Sequence, residues 1–252
     1  MTRTIRLGST FASLLTLVIF SGWSSAGAQT IDDTWVGTAG QWNLAANWSS
    51  GEPLNGTPPG ATYNVTISNG GSVTMSNGLN SSTPIDNLTV GSSSSLSIVD
   101  GNNLTITGST LGNAGAIELN SAGHATYIVI GASNVTLSGG GSVTMSNDAA
   151  NYIVGSATAN KLTNEETIQG AGVIGGGNGS ISLTLANSGI IDANQSVGMT
   201  IAAGGGTTNT GTLESTAAST LTLSGTFTNA GGTISADASE LKLSNAIVNG
   251  GA

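Results

Sequence analysis

The chain of 252 residues contains no cysteine, one histidine and four basic residues, and charged residues of both signs make up only 7% of it. Without cysteine there is neither a disulfide framework nor a thiolate metal site, so stability has to come from burial and backbone pairing. Arg3 and Arg6 are the only arginines. Beyond residue 28 the basic residues reduce to Lys161 and Lys242 against all 13 acidic ones, a net charge of −11. Phosphate backbones and anionic lipid repel such a chain, so the expected partners do not include nucleic acid. Aromatic residues are scarce, at 4%, and no apolar run after the N-terminus could cross a membrane as a helix of about 20 residues.

The N-terminus does carry one apolar run, Phe11 to Phe20, preceded by Arg3 and Arg6 and followed by Ala26-Gly27-Ala28. A basic segment, a short apolar core and a small-residue cleavage site in that order make residues 1–28 an expected secretory signal peptide. The rest of the chain is then expected to be secreted or on the cell surface. The lack of disulfides points to a bacterial envelope, with the outer-membrane exterior as the expected location. In that setting the Asn-x-Ser/Thr triplets at Asn47, Asn64, Asn87, Asn103, Asn134 and Asn178 are not glycan sites, only what a Ser/Thr/Asn-rich chain contains by chance.

What the chain has in abundance is repetition. Asn113-Ala-Gly-Ala-Ile117 returns as Asn187-Ser-Gly-Ile-Ile191, Asn209-Thr-Gly-Thr-Leu213 and, with one added glycine, Asn229-Ala-Gly-Gly-Thr-Ile234. Asn164-Glu-Glu-Thr-Ile168 fits the same slot, and the steps from Asn164 to Asn187, Asn209 and Asn229 are 23, 22 and 20 residues. A second echo pairs Gly70–Asn77 with Gly140–Asn147. Between these corners lie alternating segments such as Ile181–Leu185, Thr220–Ser224 and Glu240–Ser244, with Leu and Ile set to one face and Ser, Thr or Lys to the other.

The Asn-Gly, Gly-Gly and Ser-Gly clusters are expected to supply positive φ at the corners. With 39 glycines and no apolar spacing near 3.6, helices are not expected. The expected fold is all-β: a single-stranded parallel β-solenoid (β-helix) of about 20–23 residues per turn, with like residues stacked in ladders. From Tyr63 onward there is room for about nine turns, a rod on the order of 40 Å long. An antiparallel sandwich is the structural rival, but it would not repeat the same corner in the same internal order.

Residues 29–62 differ from the body. They hold Trp35, Trp42 and Trp48, and then Pro53, Pro58 and Pro59. This segment is expected to cap the first turn of the solenoid at 63–252, and the three tryptophans are candidates either for that cap or for stacking on a glycan. The tail, Ala246 to Ala252, shows no such device, and the expectation is a truncated chain or a fragment of a longer one.

Trp35-Val-Gly, Trp42-Asn and Asn47-Trp48, followed by Val65-Thr-Ile67, resemble the start of bacterial autotransporter-passenger-like and filamentous-haemagglutinin-like surface proteins. Thr167–Gly175, Leu183-Thr-Leu185, Asn187–Asn194 and Asn209–Glu214 are similar to their repeats. The resemblance implies adhesion, surface display or matrix building, with surface glycans, matrix or other copies of the chain as partners. The chain departs from the autotransporter pattern in showing no C-terminal membrane barrel.

Solenoids of this kind also act on polysaccharides, which requires catalytic groups that converge. The lyases use a cationic base, commonly arginine, which is missing after residue 6. Hydrolysis needs converging carboxylates. Asp32-Asp33 are expected in a disordered terminus, and Glu165-Glu166 point to opposite faces if they lie on a strand. His124 lacks a neighbouring relay or a second imidazole at metal-ligand spacing and reads as a turn residue.

Gly175–Ile181 partly resembles a calcium-binding nonapeptide, but Ser180 stands where the liganding aspartate belongs, so it reads as a turn. Thr105-Ile-Thr107 and Thr220-Leu-Thr222 have the spacing of an ice-binding face, a remote alternative. No catalytic residue, cofactor or metal is expected. The expected function is that of an exported structural or adhesive rod, with a carbohydrate-active enzyme or glycan-binding module as the alternative.

Overall fold

Strands of alternating apolar and hydroxyl residues have one dry and one wet face, and a chain of them is stable only if the dry faces meet. The computed structural model describes residues 28–176 and 182–251. Most of the expected signal peptide, and residues 177–181 of the glycine-rich stretch, lie outside the described residues. The fold is a parallel β-solenoid of about eight turns with three faces around one continuous core.

The first face comprises Gln29–Thr34, Ala61–Ile67, Asn87–Val90, Thr110–Asn113, Val135–Ser138, Lys161–Asn164, Thr184–Asn187, Thr207–Asn209 and the end of Thr220–Thr228. The second begins at Ala39–Gln41 and Ser72–Met75 and ends at Thr233–Ala236. The third runs from Ser81–Ile85 to the first half of Thr220–Thr228, which bends at Gly225 and continues onto the first face.

Register is set by the apolar rows. On the second face Val73, Leu96, Ile117, Val143, Ile168, Ile191, Leu213 and Ile234 lie one above another. On the third, Leu104, Ile128, Ile153, Ile174, Ile201 and Leu223 do the same. A one-residue slip in any strand would turn its whole apolar set to water, so the rows hold the register. The echo at Gly70–Asn77 and Gly140–Asn147 places Ser72–Met75 and Ser142–Met145 on the same face, three turns apart.

Turn length is less regular than the Asn spacing suggests. Val65, Leu88, Leu111, Leu137, Asn164, Asn187 and Asn209 share one inward row, giving steps of 23, 23, 26, 27, 23 and 22 residues. The surplus in the two long turns goes into corners such as 156–160, while the strands keep their length.

In its second half that row changes chemistry. Asn164 Nδ2 donates to Asn187 Oδ1 at 2.7 Å, Asn187 to Asn209 at 2.7 Å, and Asn209 to Asn229 at 2.6 Å. Each amide also donates to the carbonyl of its own corner, at Glu166, Gly189, Gly211 and Gly232. The asparagines are 0–2% exposed, so the ladder satisfies buried polar groups that water cannot reach.

The glycines of these corners serve a purpose other than the expected one. Gly189 and Gly211 are not among the positive-φ residues. A Cβ at Gly189 would collide with the Glu166 carbonyl, and one at Gly211 with the Gly189 carbonyl. Close approach of successive turns, rather than left-handed backbone, requires glycine there. Positive φ is needed elsewhere, as at Gly78 and Gly225, both +97°.

The head segment is built into the rod. Gln29–Thr34 pairs in parallel with Ala61–Ile67, and Ala39–Gln41 with Ser72–Met75, so the cap segment supplies the first turn. Residues 42–60 replace the third-face strand of that turn. Asn55 N–H donates to the Pro84 carbonyl at 2.8 Å, and Ser49 N–H to the Thr34 carbonyl at 2.9 Å, which covers edges that would otherwise template another chain. Asp32 and Asp33, expected in a disordered terminus, lie within this ordered first strand, and Asp33 is fully buried. Its fixed position follows from the serine at residue 49 and the Ser50 N–H, both of which donate to Asp33 Oδ1 at 2.8 Å.

Three substitutions test the rows. Ile117→Ala, in the fully buried second-face row, should cost about 2–5 kcal/mol, whereas Leu243→Ala, at a side chain 60% exposed, should stay within about 0.5 kcal/mol, as read from urea unfolding followed by circular dichroism. Asn187→Leu should destabilise by roughly 1–3 kcal/mol despite its added apolar area, because the Asn164 amide loses its acceptor and the Asn209 oxygen its donor. A neutral or stabilising Asn187→Leu in the same measurement would show that the amide ladder is not a structural requirement.

Candidate interaction surfaces

The three tryptophans come together at the start of the rod. Trp35, Trp42 and Trp48 are 1%, 0% and 4% exposed. Trp48 sits edge-on to both of the others, with ring centroids 5.1 Å from Trp35 and 4.8 Å from Trp42. Trp48 Nε1 donates to the Trp42 carbonyl and Trp42 Nε1 to the Pro53 carbonyl. Their faces meet one another and the core, leaving no open ring for a sugar to stack on, so the geometry is that of a lid on the first turn.

Glu165 and Glu166 fall on a corner between strands, where Glu165 is exposed and Glu166 is 4% exposed. The Glu166 carboxylate reaches back across two turns. It accepts from Asn113 Nδ2 at 3.0 Å and from the Gly140 N–H at 3.1 Å. The corner at Gly139–Gly141 has no asparagine of its own, and Glu166 supplies the acceptor it lacks. Burial raises the Glu166 pKa above the ordinary glutamate value, while the donors of Asn113, Gly141 and Gly140 pull it back.

His124 does acquire a carboxylate partner, from one turn away. Its Nδ1 lies 2.6 Å from Asp100 Oδ2, and Asp100 Oδ1 accepts from the N–H groups of Ala122 and His124. The Ala122 N–H, then the His124 ring and N–H, hold the Asp100 carboxyl below its usual range. The neighbouring Ser121 hydroxyl donates to the His124 carbonyl rather than to the ring, so the group orders a corner and forms no nucleophile relay. Among the described residues no three His, Cys, Asp or Glu side chains cluster as a metal site would require.

On the second face Gln169, Asp192, Glu214 and Ser235 form an outward column. Burial, together with the charges of Asp192 and Asp237, raises the Glu214 pKa. Asp192 is engaged by the Thr216 hydroxyl at 2.9 and 3.0 Å.

A second long column runs down the first face through Asp32, Asn64, Asn87, Thr110, Thr136, Thr163, Ala186, Thr208 and Thr228, matching in length the second-face column that starts at Gln41, Thr74, Ser97, Glu118 and Thr144 but with a carboxylate only at its first position. At its start Asn64 Nδ2 donates to Asp32 at 2.8 Å and Asn87 Nδ2 to Asn64 at 2.7 Å. The threonine pairs singled out in the sequence do not make such a column. Thr107 is drawn into a corner, donating to Asp86 and accepting from Asn55, while Thr222 sits between Thr200 and Lys242. The signal for the real column was the residue just before each corner asparagine, at Thr163, Ala186, Thr208 and Thr228.

No family model, curated protein or solved structure matches the chain.

The buried carboxylate gives a pH dependence. A glutamate whose folded pKa is raised contributes most below its ordinary value of 4.5, and that contribution is lost as pH rises through the raised value. Glu52 and Glu214, raised in the same direction, add to the trend. The melting temperature is expected to be higher at about pH 5 than at about pH 7, and Glu166→Gln should flatten that slope. A steeper or unchanged slope in the variant would remove Glu166 as the titrating group.

Proposed function

We propose that this chain is an exported structural or adhesive rod that works by many weak contacts along its length, on the exterior of a bacterial cell or in its matrix. The observation that carries the reading is the outward column of the first face, which offers a hydroxyl or amide at one strand spacing, about 4.8 Å, at every turn from Asn64 to Thr163 and again at Thr208 and Thr228. A repeating partner, such as a glycan matrix, meets the same chemistry again at each turn. Linked weak contacts then multiply in effect without any single strong site. The N-terminal signal features and the net charge of −11 support export and disfavour phosphate-rich partners. Among the described residues no helix is long and apolar enough to cross a membrane.

The reading is tested with beads carrying the protein at high and low density over glycan- and matrix-coated surfaces. Dense display should strengthen attachment by roughly 10²–10⁴ over the free rod. No attachment at any density, or attachment independent of density, would overturn the proposal.

A further inference from the structure

The hydroxyl column of the first face is interrupted once, at Ala186, between Thr163 and Thr208. The column beside it, through Lys161, Thr184 and Thr226, is interrupted at Gly206. Gly206 has a φ of +90°, and a Cβ there would approach nothing closer than the Thr226 carbonyl at 3.7 Å, so the gap is real space held open by the backbone. Each missing side chain leaves a depression. The smaller, of about 70 Å³, is walled by Thr163, Ala186, Ser188, Thr208 and Thr210. The larger, of about 310 Å³, is walled by Thr184, Gly204–Gly206, Thr226 and Thr228 as well as Thr208, which the two share.

No ionisable side chain lines either depression. Their walls are hydroxyls, threonine methyls and glycine backbone, and a hydroxyl both donates and accepts. Thr208 points outward into both depressions, whereas Thr207, paired with Leu185 and Phe227 in the inward row, turns its side chain to the core and adds only backbone to the wall. The larger volume is at the lower end of what small-molecule sites occupy, about 300 Å³. A ligand matched to these walls is uncharged, dense in hydroxyls and apolar on its ring carbons.

From these depressions we infer that the first face carries a subsite for a neutral oligosaccharide, one sugar seated over Gly206 and its neighbour over Ala186, with Thr208 between them. This deepens the adhesive reading and rests on it for its biological setting. Acidic glycans are excluded by the charge of the chain and by the absence of a cation in the wall.

The test uses the full chain and titrates neutral cello-, malto-, laminari- and chito-oligosaccharides, with oligogalacturonate as the acidic control, by ligand-observed NMR. Thr208→Val removes the shared hydroxyl while keeping shape, and Ala186→Leu fills the smaller depression. Thr89→Val, on the same face but outside both walls, is the control. At least one neutral ligand should bind, and each of the first two variants should weaken it about tenfold or more, the loss expected of one hydrogen bond of ordinary strength, with Thr89→Val unchanged. Absence of neutral binding, or equal binding in all variants, overturns the subsite. Bead attachment measured on the same proteins separates the two ideas: attachment without oligosaccharide binding sinks the subsite alone, and oligosaccharide binding without attachment sinks the adhesive reading alone.

Discussion

In a parallel stack every side chain lies directly over its counterpart from the turn before, about 4.8 Å away, and that single contact decides which residues the chain can use. Aliphatic side chains gain from meeting their own kind, as along the row from Val73 to Ile234. Primary amides gain too, because each can donate down the ladder and accept from above. Ionised groups lose, since equal charges at that spacing repel by about 1 kcal/mol even in water and by more near the protein. At the Asp192–Glu214 step burial first, and then the charges of Asp192 and Asp237, raise the Glu214 carboxyl. A chain with 7% charged residues and a surface of Ser, Thr and Asn follows from the stacking rule itself.

The same rule explains why the core changes character along the rod without breaking. From Val65 to Leu137 the first-face row is aliphatic, and from Asn164 onward it is amide. At the junction the first amide, Asn164, meets Leu137, and its Oδ1 accepts from the Glu166 N–H in place of an amide of the preceding turn. The Glu166 carboxylate serves the two preceding turns, accepting from the Gly140 N–H and from Asn113 Nδ2. The two longest turns, of 26 and 27 residues, lie at the same place. The irregularity marks where two corner designs meet.

Fold class was legible because alternation and the Asn-x-Gly corner are local, and neighbours in a solenoid are one period apart. The same locality put Leu221 over Leu241 and Thr220 over Glu240, as the 20-residue echo requires. What escaped depends on partners that no fixed period supplies. Asp33 is ordered because Ser49 and Ser50 fold back on it, and His124 meets Asp100 only once the corner geometry is known. The threonine column leaves no fixed period in the sequence, because each strand contributes one residue to it and the steps from Thr110 onward vary from 20 to 27. The glycines at 189 and 211 were recognised as corner residues but assigned the wrong cause, since a close contact between turns leaves no trace in a single repeat.

Inward rows are constrained by one another, but outward columns are free to diverge, and here they do. The first face presents hydroxyls, the second an acidic step at Asp192 and Glu214, and the third Val129 and Tyr127, whose ring stacks on that of the buried Tyr152, 4.9 Å away at 19°. A rod with three unlike sides presents a different chemistry at each rotation about its axis. The acidic side opposes the same side of a second copy, so lateral association through it is unfavourable, while the hydroxyl side carries no such repulsion. Stacking thus fixes the interior and the spacing, and leaves the choice of what is displayed at each step to single residues such as Ala186 and Gly206, where an omitted side chain alters the surface without disturbing the row beneath.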